Sequence, residues 1–388
     1  MKVFASSDEE IPIPTQLTTI QEQLLKHCLT KNPKKRTQSI TELIGTPFLK
    51  ANMGTQTSIF EDLSSKLPWS TLPKCIALEK QSVGGKEVIK VCTIKLPRPM
   101  FAKEMANPTE IQKEMSKSPE MMTQQQGEAV KEIGEFLMRY LDGETFSKQI
   151  ESIDVIENKT MERSMTLSTL PGLSKVSKLS PQIPHWTSAD AVYQPGQLHI
   201  NGDTPNIDEW ISARTRVFNS WMEITKRSPK TKEVGEMFPG VNMIPVVRGS
   251  NPEFAMQNAA TGFPNIAFID SGFYGKGIYF TTSMEYASIY SSTVLFVGFL
   301  ATGSVFPVVE NFGINPSHSL NGAAQMNGYD THFVLVHQLG MSPNWVSWCP
   351  IDEEEKLVPP LSPGTKEYVE LVTFNSSSVF PCFILHCK

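Results

Sequence analysis

The sequence predicts an α+β protein whose C-terminal half is built from short, largely antiparallel strands. Two observations carry this. From about Thr204 the composition changes to short apolar runs separated by Gly, Asn and Pro turns, which is the pattern of strands. Few helical stretches intervene between those runs after Ser291, so alternating βαβ units do not fit. At 388 residues the chain is long enough for more than one domain, a domain being roughly 150 residues.

Charge and patterning exclude several classes. Against 35 Lys+Arg stand 40 Asp+Glu, a formal net charge of −5, so no basic field draws in nucleic acid or anionic lipid. The longest apolar run, Val294 to Ala301, is far short of the roughly 18 residues of a membrane span and suits a buried strand. Neither nucleic acid nor membrane is expected as a partner. The start, Met1 to Asp8, has no apolar h-region, and Lys2 stands where myristoylation needs Gly. The six cysteines, Cys28, Cys75, Cys92, Cys349, Cys382 and Cys387, form no CxxC pair and have no His at zinc spacing. They read as reduced thiols in a cytoplasmic protein without a metal centre.

Residues 1–52 read as helical. Leu24, Leu25, Cys28 and Leu29 make one apolar stripe, and Ser39, three residues before Glu42, has the spacing of a capping box. The run from Leu24 to Leu49, through Cys28-Leu29, Pro33, Arg36, Leu43 and Pro47-Phe48-Leu49, resembles the closing helices of a eukaryotic protein kinase's large lobe. The chain has no Gly-rich loop, Val-Ala-Ile-Lys strand, His-Arg-Asp loop or Asp-Phe-Gly, so it is not expected to act as a kinase.

Residues 53–203 carry little functional signal. Lys74 to Leu78 and Val88 to Ile94 are expected to pair as a hairpin across Gly84-Gly85. Ala129, Val130, Ile133, Phe136, Leu137, Tyr140 and Leu141 recur at helical spacing, so an amphipathic helix is expected over 128–141, ending at Gly143. The flanks, Met115 to Gln126 and Asn158 to Pro184, are rich in Ser, Lys, Thr, Gln and Met and read as linkers.

Residues 204–388 form the informative part. Ile207 to Trp221 reads as a helix. Strand-like runs follow at Met243–Val247, Ile278–Phe280, Thr293–Phe299, His332–His337, Tyr368–Phe374 and Cys382–His386.

Three pieces of this region stand out in order. The first is Val246-Val247-Arg248-Gly249-Ser250, at the end of a strand. The second is Gly275-Lys276-Gly277-Ile278-Tyr279-Phe280, with Tyr290 eleven residues after Tyr279. The third is Glu370 in Glu367-Tyr368-Val369-Glu370-Leu371, before Val379-Phe380-Pro381 and the last strand. Each has a plainer reading by itself. Arg248-Gly249-Ser250 is a turn after an edge strand, Tyr279 a half-buried strand aromatic, and Thr282 with Glu285 a capping box for a helix through Tyr290. His332 reads as a strand histidine with a structural hydrogen bond.

Together the pieces resemble the ADP-ribosyltransferase family over about 150 residues, with Gly328-Tyr329-Asp330-Thr331-His332 adding to the likeness. The resemblance implies split antiparallel sheets around an NAD cleft, with NAD as co-substrate and a protein as acceptor. Tyr279 and Tyr290 would face the nicotinamide, Gly249 would let its backbone approach the amide, Arg248 would meet the pyrophosphate or ribose oxygens and Ser250 would join them in binding NAD, with Glu370, Tyr279 and Arg248 as the catalytic residues. Glu367 and Glu370 lie at odd separation and face opposite sides of a strand, so only one enters the cleft, with Glu367 as runner-up. Arg248 stands where the polymerase branch carries His, which implies single transfer rather than chain elongation. Tyr368 stands where arginine-modifying members carry a second glutamate, which implies acceptors other than arginine, or hydrolysis of NAD to ADP-ribose when no acceptor is near. The rival reading is a non-catalytic module that binds NAD, ADP-ribose or a protein.

Overall fold

A computed structural model of the chain describes residues 60–74, 79–83, 86–177, 207–229, 232–263, 272–291, 293–308, 320, 322, 324–326, 328–338, 345–347 and 366–388. Met1–Ser65 and Lys66–Lys388 form two compact units. The kinase-like run of residues 24–49 lies outside the described residues, as do Cys28, Cys75 and Cys349. Every described strand belongs to the second unit.

In chain order the elements of this unit are β1 (Glu79–Val83), β2 (Lys86–Met100), α1 (Ala102–Met105), α2 (Pro108–Lys117), α3 (Gln124–Tyr140), β3 (Ile150–Glu157), α4 (Lys159–Ser164), a π-turn (Met165–Thr169) and α5 (Leu170–Ser177). There follow α6 (Ile207–Arg227), α7 (Lys232–Met237), β4 (Asn242–Gly249), α8 (Pro252–Thr261), β5 (Ile278–Phe280), α9 (Met284–Tyr290), β6 (Val294–Thr302), β7 (Val305–Val308), β8 (Thr331–Gln338), β9 (Trp345–Ser347), β10 (Glu367–Thr373) and β11 (Val379–Cys387).

The fold class is α+β, as the strand pattern implies. One sheet has the order β1-β2-β3-β11-β6-β4, and the other β5-β10-β8-β7, with β9 beside β8. The pairings are antiparallel except β7 with β8. The sheets meet at one antiparallel bridge, where Val247 and Thr281 exchange backbone hydrogen bonds of 2.8 and 3.0 Å. Period-two burial sorts the core into layers. Ile244, Val246 and Phe296 of the first sheet pack against Phe280, Leu335 and Leu371 of the second, with Trp221 of α6. The far face of the first sheet packs Val297, Phe299 and Leu385 against Val130, Ile133 and Leu137 of α3. The far face of the second buries Val334, Val336 and Val372 with Tyr274 and Tyr286.

Several sequence expectations change. Glu79–Val83 pairs with β2 as a hairpin, while residues 75–78 of the expected Lys74–Leu78 strand lie outside the described residues. The segments read as linkers are largely helical where they are described. Thr123 opens α3 with a capping box to Gln126, and Asn158 caps α4, its Oδ1 accepting the Met161 N–H at 2.9 Å. Composition misled because methionines supply the apolar surface there: Met122 and Met165 are buried. Helix α3 stops before Gly143, and the left-handed residue after it is Asp142, with φ +50°. Strands β2 and β3 lie in the same sheet as β11, β6 and β4, so residues well before 204 belong to the same unit as the strands after it.

Candidate functional site

Strand β10 presents alternate residues to two environments. Val369 and Leu371 enter the inter-sheet core, and on that side the Glu367 carboxylate accepts from Arg216 Nη2 at 2.6 Å. Tyr368, Glu370 and Val372 face the other way. Glu370 is paired across the strand with Val334, and Val372 with both His332 and Tyr279. Tyr279 therefore shares a sheet face with Glu370, while Glu367 is on the opposite side.

Helix α9 closes over that face. Ser283 is its N-cap, with Oγ accepting the Tyr286 N–H at 3.3 Å. The N-cap is thus one residue later than Thr282 and the expected Thr282–Glu285 box does not form; the Glu285 carboxylate instead accepts the Ser147 N–H at 3.0 Å. Met284 and Ala287 pack toward the first sheet, and Tyr286 is buried against the second. Spacing of i, i+4 puts Tyr286 and Tyr290 side by side, with their hydroxyls 2.9 Å apart.

These two phenols meet the carboxylate. The Tyr286 hydroxyl donates to Glu370 Oε1 at 2.6 Å, and the Tyr290 hydroxyl lies 3.5 Å from the same oxygen. Glu370 is 8 % exposed, and its Oε2 is buried with no hydrogen-bond partner among the described residues. Burial pushes the Glu370 carboxyl up to about 7, against the opposing pull of the two hydroxyls. Tyr290 is pushed up to about 12 by burial and the nearby carboxylate, and Tyr286 higher still. Both phenols are therefore donors at neutral pH. The Tyr286 ring is in turn stacked on Tyr368, with centroids 4.9 Å apart, whereas Tyr290 is 63 % exposed and offers an open ring.

Strand β4 brings Arg248 and Gly249 to the same helix. A Cβ on Gly249 would lie 2.4 Å from the Ala287 carbonyl oxygen and 2.8 Å from the Ser291 nitrogen, so only glycine lets β4 pass under α9. The Arg248 Nη1 is 3.4 Å from the Tyr279 carbonyl, and its guanidinium lies 5.9 Å from the Phe263 ring centre. Ser250 is bound into the scaffold: its N–H donates to Val294 O at 3.0 Å, and its carbonyl accepts from Ser291 Oγ at 2.7 Å.

The glycine turn before β5 is held by its own tyrosine. The Tyr279 hydroxyl accepts the Tyr274 N–H at 2.7 Å and donates to the Gly275 carbonyl at 2.9 Å. Gly275 has φ +115° and leaves room for the Phe374 ring, which a Cβ would approach to 2.9 Å. His332 supports the same turn. Its Nδ1 is 2.8 Å from the Tyr274 carbonyl and its Nε2 accepts the Met326 N–H at 3.0 Å, which fixes a neutral ring. Burial pushes this imidazole down to about 4. It is a structural histidine and not a base.

Arg248, Gly249, Tyr279, Tyr290 and Glu370 are thus linked through α9 and the β4–β5 bridge, across more than 120 positions of sequence. An open cavity of about 620 Å³ is lined by Arg216, Glu223, Arg227, Thr282, Glu367 and Tyr368 among others. None of Arg248, Tyr279, Tyr290 and Glu370 lines it. No three His, Cys, Asp or Glu among the described residues converge as a metal site, and no described helix is long and apolar enough to cross a membrane. Sequence reasoning missed the part played by Tyr286, whose signal was its i, i+4 relation to Tyr290. A buried carboxylate with one free oxygen beside an open phenol ring can take one hydrogen bond from a ligand and stabilise positive charge that develops near it. No protein-family model matches the chain, and no curated protein matches it.

Proposed function

We propose that this chain transfers a single ADP-ribose unit from NAD to a protein acceptor and releases nicotinamide. The observation that carries the reading is Glu370: a buried carboxylate, with one oxygen held by tyrosine hydroxyls and the other unpartnered among the described residues, on the same sheet face as Tyr279. As nicotinamide leaves, positive charge grows on the ribose, and a fixed carboxylate at that point lowers the barrier. The open Tyr290 ring suits stacking on a flat cationic ring. Arg248 presents a planar donor fork suited to pyrophosphate or ribose oxygens.

The acceptor is a protein side chain other than arginine. Tyr368 fills the place two residues before Glu370 and stacks on Tyr286, so no second carboxylate faces an incoming guanidinium there.

Titration calorimetry with NAD, together with a nicotinamide-release assay on the full chain, tests the reading. Binding with release is expected. Binding without release favours a non-catalytic NAD-binding module, and neither binding nor release overturns the reading.

A further inference from the structure

We infer that Tyr286 is a positioning residue: held by its stack on Tyr368, its hydroxyl occupies Glu370 Oε1, so that the carboxylate offers a ligand Oε2 alone and engages a single donor rather than a two-pronged fork. For the identity of the ligand this rests on the proposed ADP-ribose transfer; the positioning itself does not.

The geometry is specific. A free carboxylate can rotate and can accept a guanidinium through both oxygens at once. Here Oε1 is committed at 2.6 Å to a phenol that cannot easily swing away. The Tyr286 ring is 1 % exposed and lies 19° from parallel with Tyr368, and its hydroxyl also contacts that of Tyr290. The remaining oxygen is buried, lacks a hydrogen-bond partner among the described residues, and belongs to a side chain more than nine-tenths buried. An unsatisfied buried acceptor is costly unless a ligand donor completes it. Oε1 already faces the Tyr286 hydroxyl at 2.6 Å and the Tyr290 hydroxyl at 3.5 Å, so a fork would have to crowd or displace one of these two donors. A hydroxyl or other single donor aimed at Oε2 has no such cost. Tyr290, at 3.5 Å, contributes less to holding Oε1.

The titratable groups on and beside this face are Lys366 just before β10 and Tyr368 on it, Tyr279 on β5, His332 on β8, Glu285, Tyr286 and Tyr290 on α9, and Asp142 near Tyr368; of these, the Tyr286 and Tyr290 hydroxyls are the ones that act on the Glu370 carboxyl. The carboxylate, with burial against it, therefore relies on phenol donors for its ionised form.

Tyr286→Phe keeps the ring and its stack but removes the donor. The Glu370 carboxyl is followed by carbon-13 NMR in the full chain, with Glu370→Gln identifying the signal. In Tyr286→Phe the carboxyl is expected to titrate at least one pH unit higher than in the wild type, and in Tyr290→Phe by a smaller step. Nicotinamide release from NAD is expected to lose at least tenfold in kcat in Tyr286→Phe, with KM within about twofold. Tyr368→Leu, which removes the ring stacked on Tyr286 together with its own hydroxyl, should shift both readouts in the same direction, and it serves if Tyr286→Phe does not fold. An unchanged Glu370 titration in the folded variant overturns the inference whether or not NAD is turned over. A shifted titration in a chain that never releases nicotinamide upholds the positioning and overturns the proposed function instead.

Discussion

The Tyr286 hydroxyl donates to Glu370 Oε1 at 2.6 Å, across 84 positions of sequence, while the second oxygen of the same carboxylate stays buried and unpartnered among the described residues. This asymmetry sets the chemistry of the site. It also makes the site sensitive to pH, to the packing of α9 and to which of two nearby glutamates is altered.

Glu370 carries opposite pH signatures in stability and turnover. Its carboxyl is raised to about 7 in the fold from an ordinary 4.5, so the native state holds the proton longer than the unfolded state. Its contribution to stability is full below pH 4.5 and is lost as pH rises through about 7. Glu370→Gln removes that loss and should be more stable than wild type above pH 7, by about 3 kcal/mol at most. On the proposed mechanism turnover would need the ionised form, so kcat/KM for NAD should rise with pH through about 7. Denaturant titrations of both proteins at about pH 5 and 8, beside a pH–rate profile, check the two signs. Equal stability at both pH values would refute the burial of an ionisable group here.

Gly249 tests the placement of α9. An added Cβ would sit 2.4 Å from the Ala287 carbonyl oxygen and 2.8 Å from the Ser291 nitrogen, and neither backbone group can give way without moving the end of the helix. Gly249→Ala should cost about 1–3 kcal/mol of stability and weaken NAD binding, because the displaced helix carries both tyrosines that meet Glu370. Thermal melts and NAD titration measure these effects, and a variant indistinguishable from wild type would show that β4 and α9 are not in contact.

Glu367 and Glu370 should behave as different residues. Glu367 pairs with the partly exposed Arg216, an interaction worth no more than about 1 kcal/mol at such a site. Glu367→Gln is expected to keep nicotinamide release within about twofold of wild type. A loss comparable to that of a Glu370 change would reverse the assignment of the two carboxylates.

The product should be mono(ADP-ribose), attached to residues other than arginine. On the proposed reading, Arg248 would stand where the polymerase branch carries the histidine associated with elongation, and Tyr368 where arginine-modifying members carry a second glutamate. Mass spectrometry of protein incubated with NAD decides both points. Polymer ladders would contradict the first, and adducts confined to arginine the second.

Local patterns made the positions of many strands legible. Ile278–Phe280 is the strand its alternation implies, and Met243–Val247 and Tyr368–Phe374 are off by only a residue or two. Opposite facing of Glu367 and Glu370 follows from strand periodicity alone. The structural part of His332 was readable as a strand histidine, though not its two backbone partners. The features that sequence did not disclose are long-range. Tyr286 gains its importance only because β10 brings Glu370 beneath α9, and Gly249 is required by a carbonyl 38 positions away. The segments around Met122 and Met165 looked like linkers because polar residues dominate their composition, while their burial depends on a few methionines meeting faces built elsewhere.

The Glu370 charge is proposed to act in the transition state rather than in holding NAD. Measuring NAD affinity and the rate of nicotinamide release for wild type and Glu370→Gln tests this most directly. The substitution keeps the shape of the side chain and an oxygen that can still accept from Tyr286. An NAD Kd within a few-fold of wild type is expected, with a release rate lower by roughly 100-fold or more. Binding and release reduced together, or a release rate unaltered by the loss of charge, would contradict the proposed role of Glu370.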